Sequence, residues 1–281
     1  MRLALCNEVV RELSFERQCA FARSVGYDGL EVAPFTLGDE PHLLPAGRRA
    51  ELRRAAAEAG IAITGLHWLL VTPKGLSVTT EDPALRARTV EVIRGLVDLC
   101  ADLGGRYLVH GSPAQRVLEP ARETEQRRLA AEVFAAAGEA AAQAGLVYCI
   151  EPLAASETAY LTTVGEAADV VKDIGNPALR TMVDCSAAAR SEMEDIPALL
   201  QRWLPTGLIA HVHANDPNRR GPGEGELLFA PILDVLLEQK YRGVIGVEPF
   251  IYEPDGSAVA ARAAGYLRGL LEAQERCPHK G

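Results

Sequence analysis

The chain has 281 residues, of which 48% are hydrophobic and 24% are charged. That apolar share is typical of a globular core and excludes disorder as the overall state. The net charge of -9 repels phosphate groups, so it argues against nonspecific binding to nucleic acids. No apolar run reaches the roughly 18 residues that predict a membrane span.

The cysteines and the first residues indicate the compartment. Six cysteines are spread singly, without a Cys-x-x-Cys pair, which is typical of reduced thiols in a chain of this length. The first residues, Met1–Cys6, enter a strand-like run at once and lack the pattern of a secretory signal. We therefore expect a cytoplasmic protein.

Short apolar runs alternate with longer helical patterns along the whole chain. In the longest patterns, residues such as Ile93, Leu96 and Cys100 recur at intervals of three and four, as on a helix with one buried face. The predicted strands are Leu3–Cys6, Gly29–Ala33, Ala62–His67, Tyr107–His110, Leu146–Glu151, Thr181–Asp184, Ile209–His213 and Val244–Glu248. The predicted helices are Phe15–Val25, Ala46–Ala59, Pro83–Leu103, Ala121–Ala144, Val164–Ile174, Asp195–Trp203, Ala230–Gln239 and Ser257–Glu272.

Eight strand–helix repeats in a chain of this length predict a single closed (β/α)8 TIM barrel of the α/β class. An open doubly wound sheet would have fewer strands and usually a glycine-rich phosphate turn after the first one. Here Cys6-Asn7-Glu8 follows that strand instead. We predict one barrel domain over residues 1–275 and a flexible tail over residues 276–281.

Polar residues stand at the end of nearly every predicted strand. In a barrel of this kind, the C-terminal strand ends form one mouth, where the site lies. Each residue alone could be a hydrogen-bonded side chain that lines the barrel top, but the joint pattern predicts a functional site. The residues at these ends are Glu31, His67, Trp68, His110, Glu151, Asp184, His211, His213 and Glu248.

Three of these residues, Glu151, Asp184 and Glu248, are carboxylates that would repel one another at one mouth. Their mutual repulsion would raise their pKa values unless a cation lay between them, so they predict a metal site. Alternatively, the same carboxylates cap neighbouring helices or pair with Arg219 and Arg220.

One imidazole completes the predicted metal site. His211 and His213 are two residues apart on one strand and face the same side, so either could supply the nitrogen. Oxygen-rich ligation with one nitrogen suits Mn²⁺, Mg²⁺ or Co²⁺ better than structural Zn²⁺. We expect Mn²⁺, with Mg²⁺, Co²⁺ or Zn²⁺ as the alternatives.

The spacing around these residues forms a specific motif. Glu151 begins Glu-Pro-Leu, with Glu157 six residues later and Asp184 after an interval of thirty-three. His213 is the second histidine of His-Val-His, and Arg219 follows six residues later, just before Pro-Gly-Glu-Gly.

The motif ends with Glu248, thirty-five residues after His213, and with Phe250 two residues further on. With these intervals, the chain resembles the sugar isomerase/epimerase superfamily of xylose-isomerase-like barrels, most closely its D-tagatose/D-psicose 3-epimerase group. The resemblance implies that Glu157 and Arg219 contact substrate hydroxyls. It also implies four metal ligands, Glu151, Asp184, His213 and Glu248.

One position departs from that group, whose members carry a substrate-binding histidine three residues after the metal-binding aspartate. Here that position is Ala187. Losing the donor would weaken polarisation of a substrate carbonyl unless His67, His110 or His211 replaces it, so we expect these histidines to contact the substrate. The change also points away from free ketohexoses and towards a modified sugar.

Two aromatic residues flank the predicted site, Trp68 beside His67 and Phe250 beyond Glu248. Either ring could stack on the face of a sugar or close the top of the barrel. We count both among the predicted substrate-binding residues.

The chemistry implied by the resemblance is proton abstraction next to a carbonyl, through a metal-stabilised enediolate. Glu151 and Glu248 would act as the acid–base pair on opposite sides of the substrate carbon. Proton return to the far face gives an epimer, and return to the adjacent carbon gives an isomer. Loss of a β-substituent gives a dehydratase or lyase acting on a keto-sugar, an inosose or a keto-glycoside.

Two rivals belong to other classes. An abasic-site nuclease of the endonuclease IV type shares the barrel, and His67 and His110 stand where that family places two zinc ligands. Ala187 removes another of its ligands, and the acidic charge lacks a basic footprint for DNA. The second rival is a non-catalytic partner subunit.

We expect a small sugar or sugar derivative as the binding partner of this protein, and neither a nucleic acid nor a membrane. A homo-oligomer is the default assembly.

Overall fold

Eight parallel strands close into a barrel in the computed structural model, which describes residues 1–276. Each strand pairs with the next one along the chain, and the last pairs with the first, as the sequence predicts. The strands are β1 (Arg2–Cys6), β2 (Gly29–Val32), β3 (Ala62–Leu66), β4 (Tyr107–His110), β5 (Val147–Ile150), β6 (Leu179–Asp184), β7 (Ile209–Ala214) and β8 (Val244–Val247).

Helices connect the strands on the outside of the barrel. Gly104 and Gly145 adopt left-handed φ angles of 85° and 68° and end two of the long helices. The helices are α1 (Phe15–Val25), α2 (Ala46–Glu58), α3 (Pro83–Leu103), α4 (Glu123–Ala144), α5 (Val164–Ile174), α6 (Cys185–Ser191), α7 (Ile196–Trp203), α8 (Phe229–Glu238) and α9 (Gly256–Arg276).

The main difference from the sequence-based prediction is α6, a short helix that the hydrophobic pattern does not indicate. Asp184 caps it by accepting a hydrogen bond from the backbone N–H of Ala187 at 2.6 Å. The last helix also continues to Arg276 instead of ending at Glu272. Residues 277–281 of the predicted tail lie outside the described residues.

The apolar core has two parts. The larger part lies between the barrel wall and the helices. The smaller part comes from strand residues only, namely Ala4, Tyr107, Val109, Cys149, Met182 and Val244. None of the described helices has the length and apolar character needed to cross a membrane.

Candidate metal centre and substrate pocket

Glu151 and Glu248 are the first residues beyond β5 and β8, Asp184 ends β6, and His213 lies near the end of β7. Because parallel strands end at one mouth, these four side chains converge. The Nδ1 atom of His213 is 2.9 Å from Glu248 Oε2, 3.3 Å from Glu151 Oε1 and 3.9 Å from Asp184 Oδ2. The structure therefore brings together all four predicted metal ligands.

The two nitrogens of His213 face different partners. Nε2 lies 3.0 Å from Oε1 of Glu31, whereas the buried Nδ1 has no hydrogen-bond partner among residues 1–276. A proton on Nε2 leaves a lone pair on Nδ1, which points into the carboxylate cluster. A carboxylate that orients a metal-binding histidine in this way is a recurrent feature of metal sites.

Glu31 is fully buried and contacts three donor side chains from two strands, β4 and β7. Its Oε2 accepts a hydrogen bond from the Tyr107 hydroxyl at 2.8 Å and lies 3.0 Å from Nε2 of His211. Burial by itself raises the pKa of Glu31, but the charges of His211 and His213 outweigh it and hold that pKa well below its ordinary value. Glu31 is thus a fixed anion beneath the cluster.

The four predicted ligands are placed so that they could hold a divalent cation. One donor atom from each residue lies within 4.8 Å of the others, and all four side chains are buried. Burial, followed by the charge of Glu151, raises the pKa of Asp184, and burial raises that of Glu248 against the opposing charge of His213. Buried carboxylates of this kind need a cation to stay ionised together.

The alternative role of the carboxylates, as helix caps or as partners of Arg219 and Arg220, is only partly fulfilled. Asp184 caps α6 with Oδ1, but its Oδ2 faces the cluster and accepts a hydrogen bond from Asn215 at 2.7 Å. Arg220 pairs with Glu253 instead of a cluster carboxylate. The role of Asn215 was not predicted, although its position two residues after His213 at the same strand end was a signal.

Gly111 and Gly246 leave space for the side chains of Glu151, Glu31 and His213. A Cβ atom on Gly111 would lie 1.5 Å from Oε2 of Glu151, which is an impossible contact. A Cβ atom on Gly246 would lie 2.6 Å from Oε2 of Glu31 and 2.8 Å from Cδ2 of His213. Glycine at these positions lets the carboxylates and the imidazole approach the backbone closely.

A pocket opens directly above the carboxylate cluster. Glu157 stands at its rim between two arginines, with Arg190 Nη2 at 3.3 Å and Arg219 Nη1 at 3.8 Å. The guanidinium of Arg219 also lies 4.7 Å above the ring of Phe250, whose edge-on neighbour is Trp68. Glu157, Arg219, Trp68 and Phe250 all line the pocket, together with Ala187 and Arg190.

The other three predicted contacts do not line this pocket. His67 is fully buried below it, with Nε2 2.9 Å from Glu8 Oε2 and 3.6 Å from Glu248 Oε1. His211 is also fully buried, and its ring stacks on Tyr107 beneath the metal ligands.

His110 lies on the other side of the barrel wall. Its Nδ1 atom is 2.8 Å from the Tyr148 hydroxyl, and its ring meets the ring of Phe134 on α4 edge to face. Burial, followed by the charge of Arg116, lowers the pKa of His110 to about 3, so this histidine is neutral. Strand alternation explains the placement, because the neighbouring Val109 points into the barrel.

Two arginines near the site, Arg190 and Arg116, were not predicted from the sequence. Arg190 lies one helical turn beyond Ala187 on α6, and this helix was not predicted. Arg116 is buried, does not line the pocket and donates a hydrogen bond to the backbone carbonyl of Glu151 at 2.8 Å. Neither arginine belongs to a recognisable local motif, so only the fold reveals its position.

Comparison with known families agrees with this architecture. A family model described as a xylose isomerase-like TIM barrel matches residues 19–270. The chain therefore belongs to the xylose isomerase-like TIM barrel family, which confirms the resemblance drawn from the motif.

Two relatives found by sequence are named as epimerases. The chain is 27% identical to the L-ribulose 3-epimerase of Mesorhizobium japonicum over 241 residues, or 85% of this chain and 76% of the relative. It is 25% identical to the D-psicose 3-epimerase of Agrobacterium fabrum, over 81% of this chain and 76% of the relative. These relatives are isomerase-class enzymes, in agreement with the prediction from sequence.

A solved structure supports the fold. A crystal structure of D-psicose 3-epimerase in the presence of D-fructose superposes with a TM-score of 0.81 and covers 96% of this chain and 99% of that chain. The two sequences are 20% identical in this superposition, so the match establishes the shared barrel alone.

Proposed function

We propose that the protein is a divalent-metal-dependent isomerase or epimerase that acts on a sugar or sugar derivative. The observation that carries this proposal is the unbonded Nδ1 atom of His213, which faces three buried carboxylates at the floor of a pocket. The epimerase relatives support the same class of reaction.

The residues of the centre divide the work. Glu151, Asp184, His213 and Glu248 would hold the ion. When bound, a divalent ion supplies Lewis acidity that polarises a carbonyl and stabilises negative charge on oxygen. Glu151 and Glu248 follow strands that are separated by β6 and β7, so they approach the pocket floor from different sides.

One of these two glutamates removes the proton on the carbon next to the substrate carbonyl, and the other returns a proton from the opposite side. The net result is an inverted carbon with no gain or loss of atoms. Both carboxylates line the pocket, as a group that transfers a proton to or from a bound substrate must.

The rim of the pocket supplies recognition. Glu157 and Arg219 offer one acceptor and several donors to sugar hydroxyls, and Phe250 offers an apolar face. Ala187 lines the pocket where a larger side chain would fill space, which favours a sugar derivative with an extra substituent. Elimination of such a substituent is the alternative outcome of the same proton abstraction.

Three further points belong to the proposal. Mn²⁺ is the expected ion because three of the four ligands are carboxylates. The protein would act in the cytoplasm, since the five cysteines within residues 1–276 are free and buried. A homo-oligomer is the default assembly.

The test is solvent-deuterium exchange followed by proton NMR. The Mn²⁺-loaded protein is incubated in D₂O with ketoses, inososes and 3-keto-glycosides, beside Glu248→Gln and a chelator-treated sample. We expect deuterium uptake next to a carbonyl that needs the metal and is lost in Glu248→Gln. The product spectra then separate an epimer from an isomer or an elimination product.

Absence of exchange with every substrate, despite bound metal, would contradict the proposal for this panel. Cleavage of abasic DNA by the same preparation would favour the nuclease rival. Activity that appears only after a second protein is added would favour the role of a partner subunit.

A further inference from the structure

A second group of metal-binding side chains lies beside the first. Cys6 ends β1, Glu8 lies in the turn that follows, and His67 and Glu248 follow β3 and β8. One donor atom from each of the four lies within 4.8 Å of the others. All four are buried, with Cys6 and His67 fully inaccessible to solvent. The proposed reaction uses only Glu248 from this group.

The contacts in this group resemble ligand spacing more than hydrogen bonding. His67 Nε2 is 2.9 Å from Glu8 Oε2, yet in the described part of the chain this nitrogen and both oxygens of Glu8 have no aligned hydrogen-bond partner. Metal–ligand bonds of about 2.1 Å place neighbouring donor atoms about 3 to 3.5 Å apart around one ion. His213 Nδ1 shows the same pattern at the first centre, 2.9 Å from Glu248 Oε2 and without a hydrogen bond.

Glu248 joins the two groups through separate oxygens. Oε2 faces His213 at 2.9 Å, and Oε1 faces His67 at 3.6 Å. A carboxylate in this position can bridge two ions, as in two-metal sites with ions about 3.5–4 Å apart. Glu8 is 2% exposed, and within residues 1–276 it pairs with His67 but with no arginine or lysine. A buried carboxylate of this kind is costly unless a cation neutralises it.

We propose that Cys6, Glu8, His67 and Glu248 form a second divalent-metal site, which shares Glu248 with the first. A set of one thiolate, one imidazole and two carboxylates favours Zn²⁺ or Co²⁺, whereas the oxygen-rich first site favours Mn²⁺ or Mg²⁺. This site goes beyond the proposed function, whose proton transfers require the first ion only.

The test is a Co²⁺ titration of the chelator-treated full chain, with bound metal measured by mass spectrometry after dialysis. A sulfur-to-cobalt charge-transfer band in the near ultraviolet reports the second site, because the first site contains no thiolate. We expect two equivalents of cobalt per chain and this band. Cys6→Ala should lose the band and one equivalent, whereas Cys19→Ala, which changes a buried cysteine on α1, should keep both.

A second variant, Glu8→Gln, tests the same site if Cys6→Ala fails to fold. Glu8→Gln keeps the size of the side chain and should also reduce the stoichiometry to one. A single equivalent in the wild type, or a band that persists in Cys6→Ala, would overturn the second site. In that case His67 would balance Glu8 as an imidazolium.

The two proposals fail separately. Asp184→Asn should remove the first equivalent and leave the sulfur band in place. A protein that shows the band and binds two ions, but exchanges no deuterium with any substrate, would refute the proposed reaction while supporting the second site.

Discussion

The carboxylates of Glu31 and Glu157 make a useful comparison, because each lies between two nitrogen-bearing side chains in a different environment. Glu31 is fully buried, and its histidine contacts to His211 and His213 are both 3.0 Å long. The side chain of Glu157 is 26% exposed, and its arginine contacts are 3.3 and 3.8 Å long. The buried carboxylate has short contacts and no access to water, whereas the partly exposed one has longer contacts for which water can compete.

This difference separates two roles in one site. A buried ion pair without water to replace a lost partner fixes the orientation of a metal ligand. A half-exposed pair contributes little to stability, so its groups can be released to bind substrate hydroxyls at small cost. We infer that the residues around Glu31 orient the proposed metal ligands and that the residues around Glu157 at the rim bind the substrate.

The largest expected effect follows from removing the buried carboxylate. Glu31→Ala leaves two histidines and a tyrosine without their common partner, which should lower the free energy of unfolding by about 3–5 kcal/mol. Metal affinity should fall by about 10–100-fold, because His213 loses its orienting acceptor. Urea unfolding and Mn²⁺ binding check both effects. If Glu31→Ala were as stable as the wild type, Glu31 would not have the structural role that distinguishes it from Glu157 at the rim.

Crowding the centre should affect the metal without removing a ligand. Gly111→Ala forces the Glu151 carboxylate away from its position, so we expect Mn²⁺ affinity to fall by roughly tenfold or more. Gly265→Ala is the matched control, because it lies on α9 with open space around its Cβ position. This helical change should stabilise the protein by about 0.5–1 kcal/mol. Equal metal affinity in both variants would contradict the placement of Glu151.

The pH dependence of stability should differ between the metal-free and the loaded protein. Burial raises the pKa of Glu248 to about 7, above its unfolded value of about 4.3, so ionisation destabilises the metal-free fold as pH rises between these values. Despite its burial, the charges of Glu248 and Glu31 raise the pKa of His213, so the stability that its imidazolium contributes is full below the unfolded pKa of about 6.5 and declines as pH rises from there to the raised folded pKa. Both effects have the same sign.

We therefore expect the melting temperature of the metal-free protein to fall from about pH 5 to about pH 8. Ligands bind metal in their deprotonated forms, so the increase in melting temperature caused by Mn²⁺ should grow over the same range. Thermal unfolding at several pH values, with and without Mn²⁺, checks the sign. A metal-induced shift that is independent of pH would indicate that buried carboxylates are not the ligands.

The smallest effect on stability is expected at the rim. Arg219→Ala should change the free energy of unfolding by at most about 1 kcal/mol, because its side chain is 46% exposed. It should raise KM several-fold, since one donor to the substrate is lost. Arg48→Ala, at an exposed pair on α2, is the control and should leave KM unchanged. A large loss of stability in Arg219→Ala would show that this residue has a structural role like that of Glu31.

The barrel and the convergence of the four proposed ligands were predictable because they depend on local signals, namely apolar runs and the polar residues that end them. The position of Glu31 at the end of β2 was visible, but its role was not, because Tyr107, His211 and His213 meet it from distant strands. His110 looked like a residue of the mouth, yet strand alternation turns it towards α4. Such outcomes depend on the tertiary structure.

The most direct test of the account is Mn²⁺ binding measured by electron paramagnetic resonance in the wild type, Asp184→Asn and Glu157→Gln. Asp184 lies among the proposed ligands and Glu157 at the rim of the same pocket, so the two variants differ mainly in distance from the centre. We expect Asp184→Asn to abolish tight binding and Glu157→Gln to retain it. Tight binding in Asp184→Asn, or its loss in Glu157→Gln, would contradict the account.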